Sequence, residues 1–333
     1  NARLAETPRV NPKVYEAYLK GRYLWNRRSE PDVRKAIEQF EEAVRHDPQY
    51  APAYAGLADS YTMFGTYGWT VPADREWMKA TAAADKAIEL DETLADGHTS
   101  RAGIAMNYEL DWAKAEQGYR RALELNPGYA NAHHWYGYYL LLTGRLKEAE
   151  AEIRRALELD PLSPIINANI GFCLYAGRQF DAAIAHWKNA LEMHRNYRLL
   201  HGYITLAYVG KAMYPEALAE LEKGRALSGA GPSETAVLAH IYARMGRTQE
   251  ARALLSRLLS SRDVPAYYIA QVYVGLREND KAITWLEKAY QQHSGPFNEL
   301  NADPMFDPLR PDPRFEALLR SIGLPTSGAT SSL

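Results

Sequence analysis

Apolar positions recur along this chain at a helical interval, and the whole pattern then recurs again. Starting at Ala36, Ala80, Ala115, Ala149, Ala183, Ala217, Ala251 and Ala282, a small residue is followed four positions on by a mostly large apolar one. Seven positions on comes a residue that is again mostly small. In the fourth stretch these are Ala149, Ile153 and Ala156; in the fifth, Ala183, Trp187 and Ala190. Offsets of 0, 4 and 7 lie on one face of an α-helix. The small residues let a neighbouring helix come close, and the large one fills the space between. A second apolar pattern precedes each of these, as in Leu57-Ala58-Tyr61, Trp135-Tyr136-Gly137-Leu140, Ile170-Gly171-Leu174, Leu238-Ala239-Tyr242 and Ile269-Ala270-Tyr273. Gly144 and Gly246 stand where the first helix of a pair must stop. Pro48, Pro127 and Pro161 follow second helices and end them.

A lone helix pair cannot bury its apolar face, so the units must stack in series. The motif of a bulky residue, Leu-Gly/Ala, Tyr, Gly, then Ala, a large residue, Ala and Pro resembles the tetratricopeptide repeat. Residues 130–163 and 164–197 match it almost throughout. The resemblance implies an all-α fold: a tetratricopeptide α-solenoid, a right-handed superhelix of about eight helix-turn-helix repeats with a C-terminal helical cap. On this reading 1–16 is a linker and the start of the first helix. The repeats occupy about 17–50, 51–94, 95–129, 130–163, 164–197, 198–231, 232–262 and 263–294. The segment 295–325, with Pro304, Pro308, Pro311 and Pro313 close together and then a single helical pattern, is expected to cover the last repeat, and 326–333 to form a tail. Departures are local: Arg27 where Tyr is usual, unit ends at Glu92, Arg195 and Gly229 in place of Pro, and about ten extra residues near Gly65–Asp74. That insertion is expected to expose Tyr67, Trp69 and Trp77, and either folds back on its own helix pair or serves a function.

The same resemblance places the second, fifth, ninth, twelfth and thirteenth positions of each first helix in a concave groove. It implies a partner-binding set of Tyr18, Trp25, Asn131, His134, Tyr138, Phe172, Tyr175, His240, Arg244 and Tyr267, with Asp59, Met63, Asp96, Met106, Asn107, Leu141, Leu206 and Gln271 beside them. The set is aromatic and aliphatic with few cations, which suits an extended peptide or an amphipathic helix with apolar anchors. For Tyr138 and Tyr175, packing between helices is an equal alternative.

Composition narrows the function classes. A formal charge of -2 leaves no cationic excess for a phosphate backbone, so nucleic-acid binding through this region is not expected. Apolar runs such as Tyr138 to Leu142 are far short of the roughly 18–20 residues that span a bilayer. One cysteine, Cys173, excludes an internal disulfide and reads as a small core residue. The chain carries no HExxH, GxSxG, Walker-type loop, CxxC or calcium loop, and Gly229-Ala230-Gly231 before Pro232 reads as a turn. His98, His133 and His201 share one repeat position and read as packing residues, not metal ligands. Glu148, Glu150, Glu152, Arg154 and Arg155 form a solvated helix face.

The resulting expectation is a non-enzymatic module, without catalytic residues, cofactor or metal, that binds a protein or peptide. Segments such as YLKGRYLWNRR and DPMFDPLRPDPRF also resemble C-terminal tetratricopeptide regions of multidomain bacterial signalling and transcription regulators. A start at Asn1-Ala2 without Met reads as a piece of such a longer protein. Its expected place is cytoplasmic, or extracytoplasmic if the parent has an upstream membrane span. Self-association and an enzyme with an unrecognised site are the alternatives. The latter predicts a deep pocket with converging polar side chains and shifted pKa values.

Overall fold

The offsets of 0, 4 and 7 become contact surface. In a computed structural model, which describes residues 11–324 apart from 230, 262 and 294, every residue at those positions from Ala36 to Ala289 is buried. Sixteen helices form eight pairs among the described residues: α1 (Pro12–Asn26) with α2 (Glu30–His46), α3 (Ala51–Thr66) with α4 (Asp74–Leu90), α5 (Ala95–Ile104) with α6 (Trp112–Leu125), and α7 (Ala130–Leu142) with α8 (Leu146–Leu159). Then come α9 (Pro164–Ala176) with α10 (Phe180–Met193), α11 (Arg198–Gly210) with α12 (Tyr214–Ser228), α13 (Pro232–Arg244) with α14 (Thr248–Ser260), and α15 (Ala266–Gly275) with α16 (Asn279–Gln292). No strand occurs among the described residues, and the architecture is an all-α solenoid. The expected tail at 326–333 lies outside the described residues, as does the first part of 1–16.

Close helix approach explains the glycines of the first helices. A Cβ on Gly171 would overlap the Trp187 indole, whose Nε1 donates to the Ala168 carbonyl at 2.8 Å across the same contact. The turn inside each pair is also shared. One residue per turn is left-handed: Arg28, Gly68, Leu110, Gly144, Arg178, Ala212, Gly246 and Arg277. Glycine takes this conformation freely, and other L-residues at a cost of about 1 kcal/mol. In the third pair a π-helical turn, Ala105–Glu109, precedes it.

The segment after α16 runs in two directions at once. Short 3-10 turns at Phe297–Glu299 and Pro304–Leu309 lead to α17 (Pro313–Ile322), whose Phe315, Leu318, Leu319 and Ile322 are buried, and which packs on α16. The segment also meets early repeats. Gly295 N–H donates to the Gly65 carbonyl at 3.1 Å, Trp77 Nε1 to the His293 carbonyl at 3.2 Å, and Asn298 Nδ2 to Asn107 Oδ1 at 2.8 Å. Trp112 Nε1 donates to the Ile322 carbonyl at 2.6 Å. The C-terminal segment therefore lies on the inner side of the solenoid as well as against its last pair. Buried Phe297, Leu300, Met305, Phe306 and Leu309 join one apolar core with the first helices of repeats 4 to 8.

Candidate functional site

The inner face is built by successive first helices, and the C-terminal segment is seated on it through tyrosine hydroxyls. Tyr175 Oη donates to Asp303 Oδ1 at 2.7 Å and Tyr267 Oη to Asp303 Oδ2 at 3.1 Å. Tyr138 Oη donates to Glu299 Oε1. Asp303 also accepts from Met305 N–H at 2.9 Å, capping the second 3-10 turn. Burial pushes the Glu299 carboxyl up to about 7, with the hydrogen bond from Tyr138 opposing the rise and Asp303 adding to it. Burial likewise raises the Asp303 carboxyl against its three hydrogen bonds. Phe172 stacks on both Tyr138 and Tyr175, with ring centroids 6.4 and 5.7 Å apart. Phe306 meets Tyr267 edge to face at 5.3 Å.

Between this segment and the first helices lies a cavity of about 700 Å³. Of the ten residues expected to bind a partner, Trp25, Tyr138, Phe172 and Tyr267 line it, all nine-tenths buried or more. Tyr175 lies beside it beneath Asp303. The others are dispersed. Tyr18 packs on Phe40 and Tyr50, Asn131 is half-buried at the start of α7, and Arg244 Nε reaches Tyr214 Oη at 3.3 Å. His134 Nε2 accepts from Asn169 Nδ2 at 2.8 Å, and burial together with the charge of Arg28 lowers its pKa to about 3. His240 Nδ1 donates to the Gln271 carbonyl at 2.8 Å, and burial brings its pKa to about 4.

The lining also holds residues that the sequence reading did not select: Arg28, Trp69, Trp135, Tyr203, Glu299 and Asp303. Glu299 and Asp303 fall in a proline-rich stretch without period. The available signal was the density of apolar residues there, too high for a solvated connection. Trp69 belongs to the repeat-2 insertion, where Tyr67 and Trp69 stack at 5.2 Å and are half-buried. Trp77, expected to be exposed, is instead almost fully buried: its indole stacks on Tyr108 at 5.4 Å as it reaches the His293 carbonyl.

Other chemistry-bearing groups are absorbed by packing. His98 Nε2 meets the Glu92 carbonyl at 2.9 Å, His133 Nδ1 meets Glu152 at 2.6 Å, and His201 Nδ1 meets Glu220 at 2.5 Å. Among the described residues no group of three or more His, Cys, Asp or Glu is placed to hold a metal ion, and no helix is long and apolar enough to cross a membrane. Cys173 is buried, and that burial pushes its thiol up to about 12, far from a reactive thiolate.

The tetratricopeptide repeat family model matches residues 108–164 and 237–298. The Hsp70-Hsp90 organizing protein of Triticum aestivum is 32% identical over 118 residues, 35% of this chain and 18% of that protein. The chain thus aligns with under a fifth of that relative's length. Among solved structures, PilW, a type IV pilus biogenesis factor, superposes with a TM-score of 0.52 at 22% identity, covering 65% of this chain and 97% of that one. The Cut9-Hcn1 complex of the APC/C gives 0.62 at 15% identity over 87% of this chain and 54% of that one, a likeness of fold. The family match identifies tetratricopeptide repeats at residues 108–164 and 237–298, and the eight stacked helix pairs with small residues at fixed contact points form a tetratricopeptide solenoid.

Proposed function

We propose that the chain is a protein-interaction module that receives a peptide or helix on its concave side, as the regulatory or sensor part of a larger bacterial signalling or transcription regulator. Tetratricopeptide proteins as a family bind proteins and peptides, and the Triticum aestivum relative is named an Hsp70-Hsp90 organizing protein. One observation carries the reading to a surface. The chain's own C-terminal segment, irregular and proline-rich, is seated on the inner aromatic face by Tyr138, Tyr175 and Tyr267. A partner segment of similar character uses the same anchors and competes with it. No enzymatic step is assigned. Of the three lining carboxyls that burial raises, Glu299 and Asp303 are engaged by tyrosine hydroxyls that hold the segment. Asp59 pairs with Arg22 and accepts from Ser100 Oγ, a hydroxyl whose other hydrogen-bond partners are the Ala55 and Asp96 carbonyls and not a His.

The test is capture of partners from extracts of the source cells by the full chain. Tyr138→Phe with Tyr175→Phe removes the hydroxyls that hold the segment and should increase recovery. Phe172→Ala removes an anchor and should decrease it at unchanged helicity. Equal recovery by all three proteins removes the concave face from consideration.

Self-association is favoured by a separate feature. Tyr15, Leu19 and Tyr23 stand in line on α1 with 50, 47 and 65% of their surface exposed, an apolar stripe on the first helix of the array. Light scattering that gives the monomer mass across a concentration series would exclude it.

A further inference from the structure

We propose that the inner cavity is a binding site for a small organic carboxylate with a flat apolar body, its carboxylate held by Arg28 and its rings lying among Trp25, Trp69 and Trp135. This inference does not depend on the capture of a protein partner. Arg28 occupies the left-handed turn position of the first repeat and lines the cavity, with only 3% of its surface exposed. Its Nε, Nη1 and Nη2 have no hydrogen-bond acceptor. The guanidinium rests on the Trp25 indole, 3.9 Å from the ring centroid, and 5.6 Å from that of Trp135 on α7. Stacking on indoles offsets part of the desolvation of a cation. It supplies no acceptor, and a buried charge without one is costly.

The remaining charged groups of the lining are all engaged. Glu30 pairs with Arg34, Asp59 with Arg22 and Ser100, Arg198 with Glu234, Glu299 with Tyr138, and Asp303 with Tyr175 and Tyr267. Arg28 is the one charged lining residue left without a partner among those described. Of the other lining side chains, Trp25 Nε1, Thr66 Oγ1 and Gln271 Oε1 lack partners, so the unpaired set holds one further donor, one hydroxyl and one acceptor. Arg28 is therefore the lining cation with no anionic partner, while Glu299 and Asp303 are held by neutral hydroxyls and a backbone N–H.

The fold supplies its own precedent. Arg178 holds the same turn position four repeats later, also left-handed, and takes the Asp307 carboxylate of the C-terminal segment through Nε and Nη2 together. That fork is the geometry a guanidinium prefers for a carboxylate. At Arg28 the chain provides the fork and no carboxylate. One unpaired guanidinium matches one carboxylate, whereas a phosphate dianion would bring a second negative charge into a lining that already holds Glu299 and Asp303. The volume suits a small molecule, for which sites of roughly 300–1,000 Å³ are usual. Pro296, Glu299 and Asp303 of the C-terminal segment stand in its wall, where a long extended chain would have to pass.

The experiment titrates the purified full chain with one- to three-ring aromatic monocarboxylates, 2-naphthoate among them. It follows quenching of tryptophan fluorescence and heat of binding. The expected result is saturable one-site binding of at least one acid, its neutral carboxamide binding at least tenfold more weakly. Arg28→Met should abolish that preference, and should melt no lower than the wild type without ligand. If that variant fails to fold, the acid-to-amide ratio on the wild type decides. Equal binding of acid and amide, tighter binding of 2-naphthyl phosphate, binding only of a short peptide ending in Trp with a free carboxylate, or no saturation by any acid of the series would each overturn the proposal.

Discussion

Two helices joined by a turn, α8 and α9, bury very different shares of themselves. Along α8 only Ala149, Ile153 and Ala156 are buried, three of fourteen residues, and the rest is a charged face with pairs such as Glu150–Arg154. Along α9 eleven of thirteen residues are buried. The second helix of a repeat touches neighbours on one side. The first helix is covered twice, by second helices behind it and by the lining around the C-terminal segment in front. An inner helix that is buried nearly all round therefore need not be waiting for a foreign partner, because part of its cover is encoded in the same chain.

Four measurements sharpen this contrast. The largest effect is expected from Phe306→Ala, which empties a fully buried site in the C-terminal segment. It should lower unfolding free energy by about 3–5 kcal/mol in urea titrations. A change within about 0.5 kcal/mol would mean that the segment is not part of the core. Next comes Ala149→Leu, which forces extra methylenes into a fully buried helix-pair contact and should cost about 1–3 kcal/mol. An unchanged melting temperature would contradict the register of the 0, 4 and 7 positions.

The third effect depends on pH. Glu299 has a folded-state pKa of about 7 against an ordinary 4.5, so its contribution is fully present below about 4.5 and is lost as pH rises to about 7. His134 and His240, with folded values of about 3 and about 4 against 6.5, act oppositely: their contribution is present above 6.5 and is lost as pH falls toward those values. The difference between wild type and Glu299→Gln cancels the histidine contribution. Hydrogen exchange over Phe297–Leu309 in the wild type should speed up between pH 4.5 and 7 beyond the ordinary dependence, and the variant should not share that increase. Identical profiles would detach Glu299 from the holding of the segment. The smallest effect is expected on the outer layer. Glu150→Gln breaks an exposed i,i+4 pair and should alter stability by no more than about 0.5 kcal/mol.

The outer layer was legible because its rule is local. Each of Ala36, Ala80, Ala115, Ala149, Ala183, Ala217, Ala251 and Ala282 marks a contact within or between adjacent pairs, and all eight are fully buried. The glycine stops at Gly144 and Gly246 were visible for the same reason, although Arg28, Leu110, Arg178, Ala212 and Arg277 fill the equivalent turns without glycine. The inner layer was not legible in this way. Tyr138 meets Glu299, and Tyr175 meets Asp303, across well over a hundred residues of chain, and no period links them. Arg28 looked like an ordinary turn cation, because nothing in its sequence neighbourhood reveals that Trp135, three repeats away, lies 5.6 Å from it.

The two tryptophan clasps, Trp77 onto His293 and Trp112 onto Ile322, change what kind of spring this molecule is. An open coil of stacked pairs stretches by small changes at every joint. Here the far end is buckled to the second and third pairs, so extension along the axis must first break those clasps. The array should answer a pulling force as a closed ring does, stiff until the buckle opens and compliant afterwards.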